Sequence, residues 1–322
     1  MLRLLRRNPV LTIVLTVTLC ATGAILADTD WNDDGQLTPL SALVLEGVGL
    51  IPFAQVFVNS LLLFITAMTC SSMVGRREMI SGSGGLVAWC FALVAVVVLP
   101  ARDAAPQLLA VAVTALMLAE MMTFDAPEKI GIAAFNAGFL LSLGTLLYQP
   151  MILLLVVLVL AFFYGQPQSA RPVITMVAGM VVPYLFALTG WYAFGEVMDF
   201  LEGQFRFPIA LWSHVPSGDE LALLIATGTL TLIAGGSTLL SMWQRPLQVR
   251  KYFALTAWCL VILLFIIPID ARAFPEALLL PAVPLSIFAG DMFHRGEGKV
   301  WTEALHLLLI AGVGIVVYMS IS

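Results

Sequence analysis

The chain has 322 residues, 61% of them apolar and 11% charged, with a formal net charge of −5. Soluble domains hold roughly 45–50% apolar and about 25% charged residues, so no water-soluble fold can hide this much apolar surface, and the charge describes loops and gives no pointer to nucleic acid. Separated apolar runs of about 20 residues signal spanning helices, because only a closed backbone hydrogen-bonding pattern survives in lipid. The expected fold class is therefore all-α, a polytopic transmembrane helical bundle.

Arg3, Arg6 and Arg7 precede the first apolar run, residues 9–27. Ala24 or Ala27 would suit signal-peptide cleavage, but the run is longer than the roughly 7–15 residues of a signal-peptide core, so an uncleaved helix is expected. Asp28 to Gly35, reading DTDWNDDG, follows with four carboxylates. Residues 39–50, apolar but broken by Glu46 and glycines, read as an interfacial or re-entrant piece. Further spans are expected over 52–73, 84–99, 107–122, 132–147, 151–164, 171–194, 221–242, 252–267, 277–288 and 301–319, about eleven in all. The longest polar interval, 195–220, carries Glu196, Asp199, Glu202, Arg206, Trp212, His214 and Pro216.

Alternating the spans from an inside N-terminus puts twelve of the fifteen basic residues on one side and leaves Arg102, Arg206 and Arg272 on the other. That is the positive-inside bias. The expectation is one integral membrane domain over residues 1–322 of a bacterial inner membrane, N-terminus cytoplasmic and C-terminus periplasmic. Cys20, Cys70, Cys90 and Cys259 all fall inside apolar runs without paired spacing and read as small packing residues.

Asp30, Asn32, Asp34 and Gly35 match the start of a calcium loop, with oxygen ligands at positions 1, 3 and 5 and glycine at 6. Ser41 stands where the bidentate glutamate would be, which weakens a calcium or magnesium site. Without a ligand the segment is a solvated acidic turn, the simpler expectation. With a substrate it could supply a base at the membrane surface, Asp30 and Asp34 ahead of Asp28 and Asp33. Arg272, Arg206 and Arg102 would then hold a lipid phosphate through their forked donors; otherwise they are interfacial anchors. Glu303 and His306, three apart at the start of the last span, read as a solvated helix end. Glu120 lies near the inner end of its span. Ala134, Gly138 and Ser142 form a small-residue stripe for close helix packing.

Phe135-Asn136-Ala137-Gly138-Phe139, continuing through Tyr148-Gln149-Pro150, resembles a motif of an uncharacterised Bacteroidota integral membrane family, some of whose members carry a carotene-oxygenase label. Arg171-Pro172, Gly179 to Tyr184 and Trp191-Tyr192 fit the next part of that pattern, so the resemblance is best over 130–195. The chain departs from it at Asn136, where an acidic residue is common, and after Arg171-Pro172, where a Trp-Arg-Glu cluster is usual. A looser likeness is to the C-type membrane glycosyltransferases: an acidic first outer loop, many spans, and a late Arg-aromatic segment, here Arg272-Ala273-Phe274, running to Pro281 and Pro284.

That likeness implies an enzyme using a polyprenyl-phosphate-linked sugar on the periplasmic face, with a loop aspartate activating the acceptor or holding a divalent cation and Arg272 on the phosphate. The alternative is a non-enzymatic membrane component of envelope assembly or secretion, packing through small-residue faces. A transporter comes third and would need a midplane polar site, here built from residues such as Asn59 and Asn136. Membrane lipid, the lipid-linked sugar and other envelope membrane proteins are the expected partners; nucleic acid is not.

Overall fold

A computed structural model describes residues 8–26, 38–49, 54–80, 84–98, 105–165, 170–205, 218–269, 276–296 and 299–321, together with Leu2 and Leu5. Every regular element among them is helical. The α-helices are α1 (Pro9–Leu26), α2 (Pro39–Gly49), α3 (Ala54–Arg76), α4 (Gly85–Val98), α5 (Ala105–Met121), α6 (Ile130–Leu147), α7 (Leu155–Gly165), α8 (Arg171–Phe194), α9 (Val197–Phe205), α10 (Gly218–Ser241), α11 (Leu247–Ile269), α12 (Ala282–Arg295) and α13 (Val300–Ile321). A 3₁₀ turn at Gln149–Leu154 leads into α7, and another at Glu276–Leu279 precedes α12.

Local chemistry sets the ends. Proline opens α1 and α2 and sits at the second position of α8, where its missing N–H costs nothing. Gly195 closes α8 in the left-handed region, φ 79°, and its N–H donates to Tyr192 O while that of Glu196 donates to Trp191 O. Only glycine enters that conformation without strain. Threonine hydroxyls within the apolar helices, such as Thr16 on Thr12 O at 2.7 Å, turn back onto the carbonyl one turn earlier. They thereby hide their polarity.

α4 and α12 form the centre. Twelve of the fourteen residues of α4 are buried, as are Ala282 to Phe293 of α12, and Gly290 lets α12 rest on Val87. Helices that are apolar all round belong inside a bundle. α1, α3, α12 and α13 pack around α4, while α8 and α10 sit at the periphery with about a quarter of their apolar windows buried, 22% and 28%.

This layering qualifies the expected eleven spans. Among the described residues five helices are long and apolar enough to cross a membrane: Gln55–Arg76, Ile130–Leu147, Arg171–Phe194, Glu220–Gln244 and Leu247–Ile269. Several of the other apolar helices are shorter, α4, α5 and α7 having 14, 17 and 11 residues. α4, at 14 residues, rises only about 21 Å, less than the roughly 30 Å hydrocarbon core. A helix sheathed by others needs no lipid-spanning length of its own.

The α6–α8 contact is the most extensive between helices among the described residues. A Cβ at Gly138 would overlap the main-chain carbonyl of Met176, and one at Gly179 that of Phe135. Ser142 Oγ donates to Met180 O at 2.6 Å. The small-residue stripe thus serves an internal seam, with the two backbones in direct contact. All four cysteines are free and buried, as their apolar settings imply.

Candidate functional site

Asp28, Asp30, Asn32, Asp33 and Asp34, with Arg102, Arg206 and Arg272, lie outside the described residues. The elements that flank them are described. Thr38, next to the acidic segment, donates through Oγ1 to Leu146 O at 2.5 Å and also bonds Ser41 Oγ at 2.9 Å. Pro39 touches Gly203 of α9. The start of α2 is therefore pinned to the C-terminal end of α6 and to α9, whose own end leads into the segment carrying Arg206.

A polar network fills this end of the bundle. Gln149 Nε2 donates to Gln204 O at 2.7 Å, Gln204 Nε2 donates to Thr145 O at 2.9 Å, and Thr145 Oγ1 lies 2.9 Å from Tyr184 Oη. Gln204 is buried, and its Oε1 has no partner among the described residues. Burying an amide oxygen unpaired costs about 1–3 kcal/mol, so this acceptor is the anomalous atom of the network. α9 forms because its apolar face, Phe200 above all, docks on Trp191 with ring centroids 4.8 Å apart, while Asp199 and Glu202 face out. It is an amphipathic lid helix laid across the bundle end.

Below this network α7 and α8 enclose a lateral groove of about 630 Å³. Leu155, Val159, Met180, Val181 and Leu188 line it with hydrocarbon, and Tyr184 also lines it, its hydroxyl 2.9 Å from Thr145 Oγ1. An apolar slot open to lipid, whose Tyr184 bonds into the neighbouring polar network, suits an amphiphile with a long chain and a polar head. Sequence reasoning missed the roles of Gln149, seen only within the Tyr148-Gln149-Pro150 motif, and of Gln204, which lies in the polar interval between Glu202 and Arg206.

The opposite end is basic. Asp291, 2% exposed, accepts from Arg245 Nη2 at 2.7 Å to both carboxylate oxygens, from Arg295 Nε at 3.0 Å and from Thr238 Oγ1 at 3.0 Å. Arg245 also lies 4.2 Å over the Phe253 ring and reaches Met79 O. Arg77 pairs with Asp125 at 3.4 Å, Tyr252 Oη donates to the same carboxylate, and Lys251 Nζ caps Tyr164 O at 3.0 Å. These contacts tie the ends of α3, α5, α7, α10 and α12 to the start of α11. They are clasps between helices.

One further expectation changes. His306 is buried, accepting from Trp89 Nε1 at 2.9 Å with Phe293 edge-on at 5.4 Å, where a solvated helix end was expected. The close fit of α13 on α4 explains the difference. His306→Ala would leave the indole N–H unpaired and is expected to cost about 1–3 kcal/mol, read as a lower unfolding temperature in detergent. Asn136 Nδ2 donates to Glu120 Oε1 at 3.2 Å, joining α6 to the end of α5. No group of three or more His, Cys, Asp or Glu side chains able to hold a metal occurs among the described residues.

A family model described as a family of unknown function, DUF6427, matches residues 40–321, and the chain belongs to that family. The match takes in Arg102, Arg206 and Arg272 and begins after the acidic segment. No curated protein and no solved structure matches the chain.

Proposed function

We propose that this member of an uncharacterised family is an eleven-pass inner-membrane protein, N-terminus cytoplasmic and C-terminus periplasmic, that transfers a sugar from a polyprenyl-phosphate carrier on the periplasmic face. The observation that carries the reading is the lateral apolar groove between α7 and α8. Its Tyr184 bonds Thr145 of the buried amide network, at the end where α2 and α9 border the acidic and Arg206 segments. A polyprenyl chain needs such a slot; its phosphate and sugar need the polar end.

The topology is supported by charge. All nine described Lys and Arg residues, Arg76, Arg77, Lys129, Arg171, Arg245, Arg250, Lys251, Arg295 and Lys299, belong to helix ends and turns of the basic end. That is the bias expected of a cytoplasmic face. With the shorter apolar helices counted as passes, each connection carrying an expected site residue falls on the other face.

In this reading Asp30 or Asp34, with Asp28 and Asp33 in support, takes the proton of the acceptor hydroxyl as its oxygen attacks the anomeric carbon. The bond to phosphate breaks with its electron pair on the leaving polyprenyl phosphate, whose charge Arg272, Arg206 and Arg102 hold. A divalent cation at Asp30, Asn32 and Asp34 would add to that charge balance. The test is mass spectrometry of lipid-linked sugars and envelope glycans in wild type, a deletion, and Asp30→Asn with Asp34→Asn. One sugar should disappear in the deletion and in the double variant at normal protein level. Glycans unchanged in the deletion overturn the proposal.

A second reading, a non-enzymatic partner in envelope assembly, is favoured by Gly228, Gly235 and Gly236 of α10 and Gly312 and Gly314 of α13, where an added Cβ would meet nothing within 4 Å. Such open glycines admit a partner helix. In that case Gly235→Leu would break the partnership and the aspartate substitutions would be silent.

A further inference from the structure

Between α3 and α5, at the basic end, lies a second groove of about 460 Å³. Phe64, Ile65, Met68 and Leu116 give it hydrocarbon walls, and Ile65 and Leu116 are exposed on the outside of the bundle. The groove opens sideways, toward acyl chains in a protein embedded in lipid.

Its end is cationic. Arg76, in the last turn of α3, lines the groove, is exposed and has no hydrogen-bond or ion partner among the described residues. Arg77 lines it too; its pairing with Asp125 at 3.4 Å and its place 5.6 Å from the Tyr252 ring leave guanidinium donors to spare. Ser72 adds an exposed hydroxyl on the same wall. None of the lining residues is acidic, and Glu78, two residues beyond Arg76, is not among them.

We infer that this groove binds an anionic glycerophospholipid of the adjoining leaflet, its phosphate between Arg76 and Arg77 and one acyl chain along Phe64, Ile65 and Met68. The two halves of the site require an amphiphile with a negative head. A free phosphate would satisfy the arginines and leave the apolar walls empty; a neutral lipid would fill the walls and leave Arg76 without counter-charge. Each basic residue near a membrane surface adds about 1 kcal/mol for anionic lipid, about fivefold. The site depends on membrane embedding and on no part of the transferase reading.

The test is native mass spectrometry of the full chain in detergent, with phosphatidylglycerol and phosphatidylethanolamine of matched acyl chains. Phosphatidylglycerol should be retained at least about fivefold better, Arg76→Gln should remove most of that preference, and Ala119→Phe, which fills the groove, should lower retention of both lipids. Excess inorganic phosphate should leave retention unchanged. Equal retention of the two lipids, an unaltered preference in Arg76→Gln, or displacement by inorganic phosphate would overturn the assignment.

Discussion

Asp291→Ala is expected to destabilise the protein by about 3–5 kcal/mol, the cost of removing one partner from a buried ion pair, and to deplete it from the membrane. Asp291 is 2% exposed and Arg245 12%, so neither group can turn to water when the other is lost. The carboxylate answers two guanidiniums and the Thr238 hydroxyl together, and its loss would set Arg245 and Arg295 against each other at the junction of α10 and α12. Arg295 is about one-third exposed and can relax outward, which places the larger share of the cost on Arg245. Arg245→Ala is thus expected to be more damaging than Arg295→Ala. Thermal unfolding in detergent and quantitative blotting of membranes would read all three. Equal, near-wild-type stability of Asp291→Ala would show that the clasp contributes little.

The second large effect is expected at the α6–α8 seam. Gly138→Leu and Gly179→Leu place side chains where the Met176 and Phe135 carbonyls stand, and main chain cannot yield as a flexible side chain can. Overpacking costs typically about 1–3 kcal/mol, and leucine at a backbone-to-backbone contact falls at or above the top of that range. Separation of the helices would also break the Ser142 bond to Met180 O and disturb the contact of Thr145 with Tyr184, which lines the lipid-facing groove. Loss of stability and loss of any groove-dependent activity should therefore appear together. Gly190→Ala, on the same helix with open space around it, should behave as wild type.

How far the sequence discloses this molecule depends on which interactions are local. Apolar runs locate the helices closely: 84–99 became Gly85–Val98, and 132–147 became Ile130–Leu147. Gly138 and Ser142 were legible as a packing stripe because spacing of four is a property of one helix. Which helices stay inside was not fully legible, since α4 and α7 are similarly apolar in sequence, yet α4 is enclosed while α7 leaves Val156, Val159 and Phe163 exposed. Asp291 reads as one acid beside a span, and its partner Arg245 lies 46 positions away. The same holds for Trp89 and His306, 217 apart, and for Gln149 and Gln204, 55 apart. Polar groups in an apolar chain choose partners by tertiary packing, which no short-range pattern records. The acidic segment was the most conspicuous feature of the sequence, and the candidate groove was among the least.

The transferase proposal requires that the acidic segment and the segments bearing Arg102, Arg206 and Arg272 share the face opposite the basic end. Cysteine labelling in intact cells with a membrane-impermeant maleimide tests it directly, and the four native cysteines, all buried, should give little background. Asp33→Cys, Asp103→Cys, Ser213→Cys and Ala271→Cys are expected to label in intact cells, whereas Ser81→Cys, Gln168→Cys and Glu297→Cys should label only after permeabilisation. Labelling of any of the first four only after permeabilisation, with the protein present at normal level, would contradict the shared face and the transferase reading built on it.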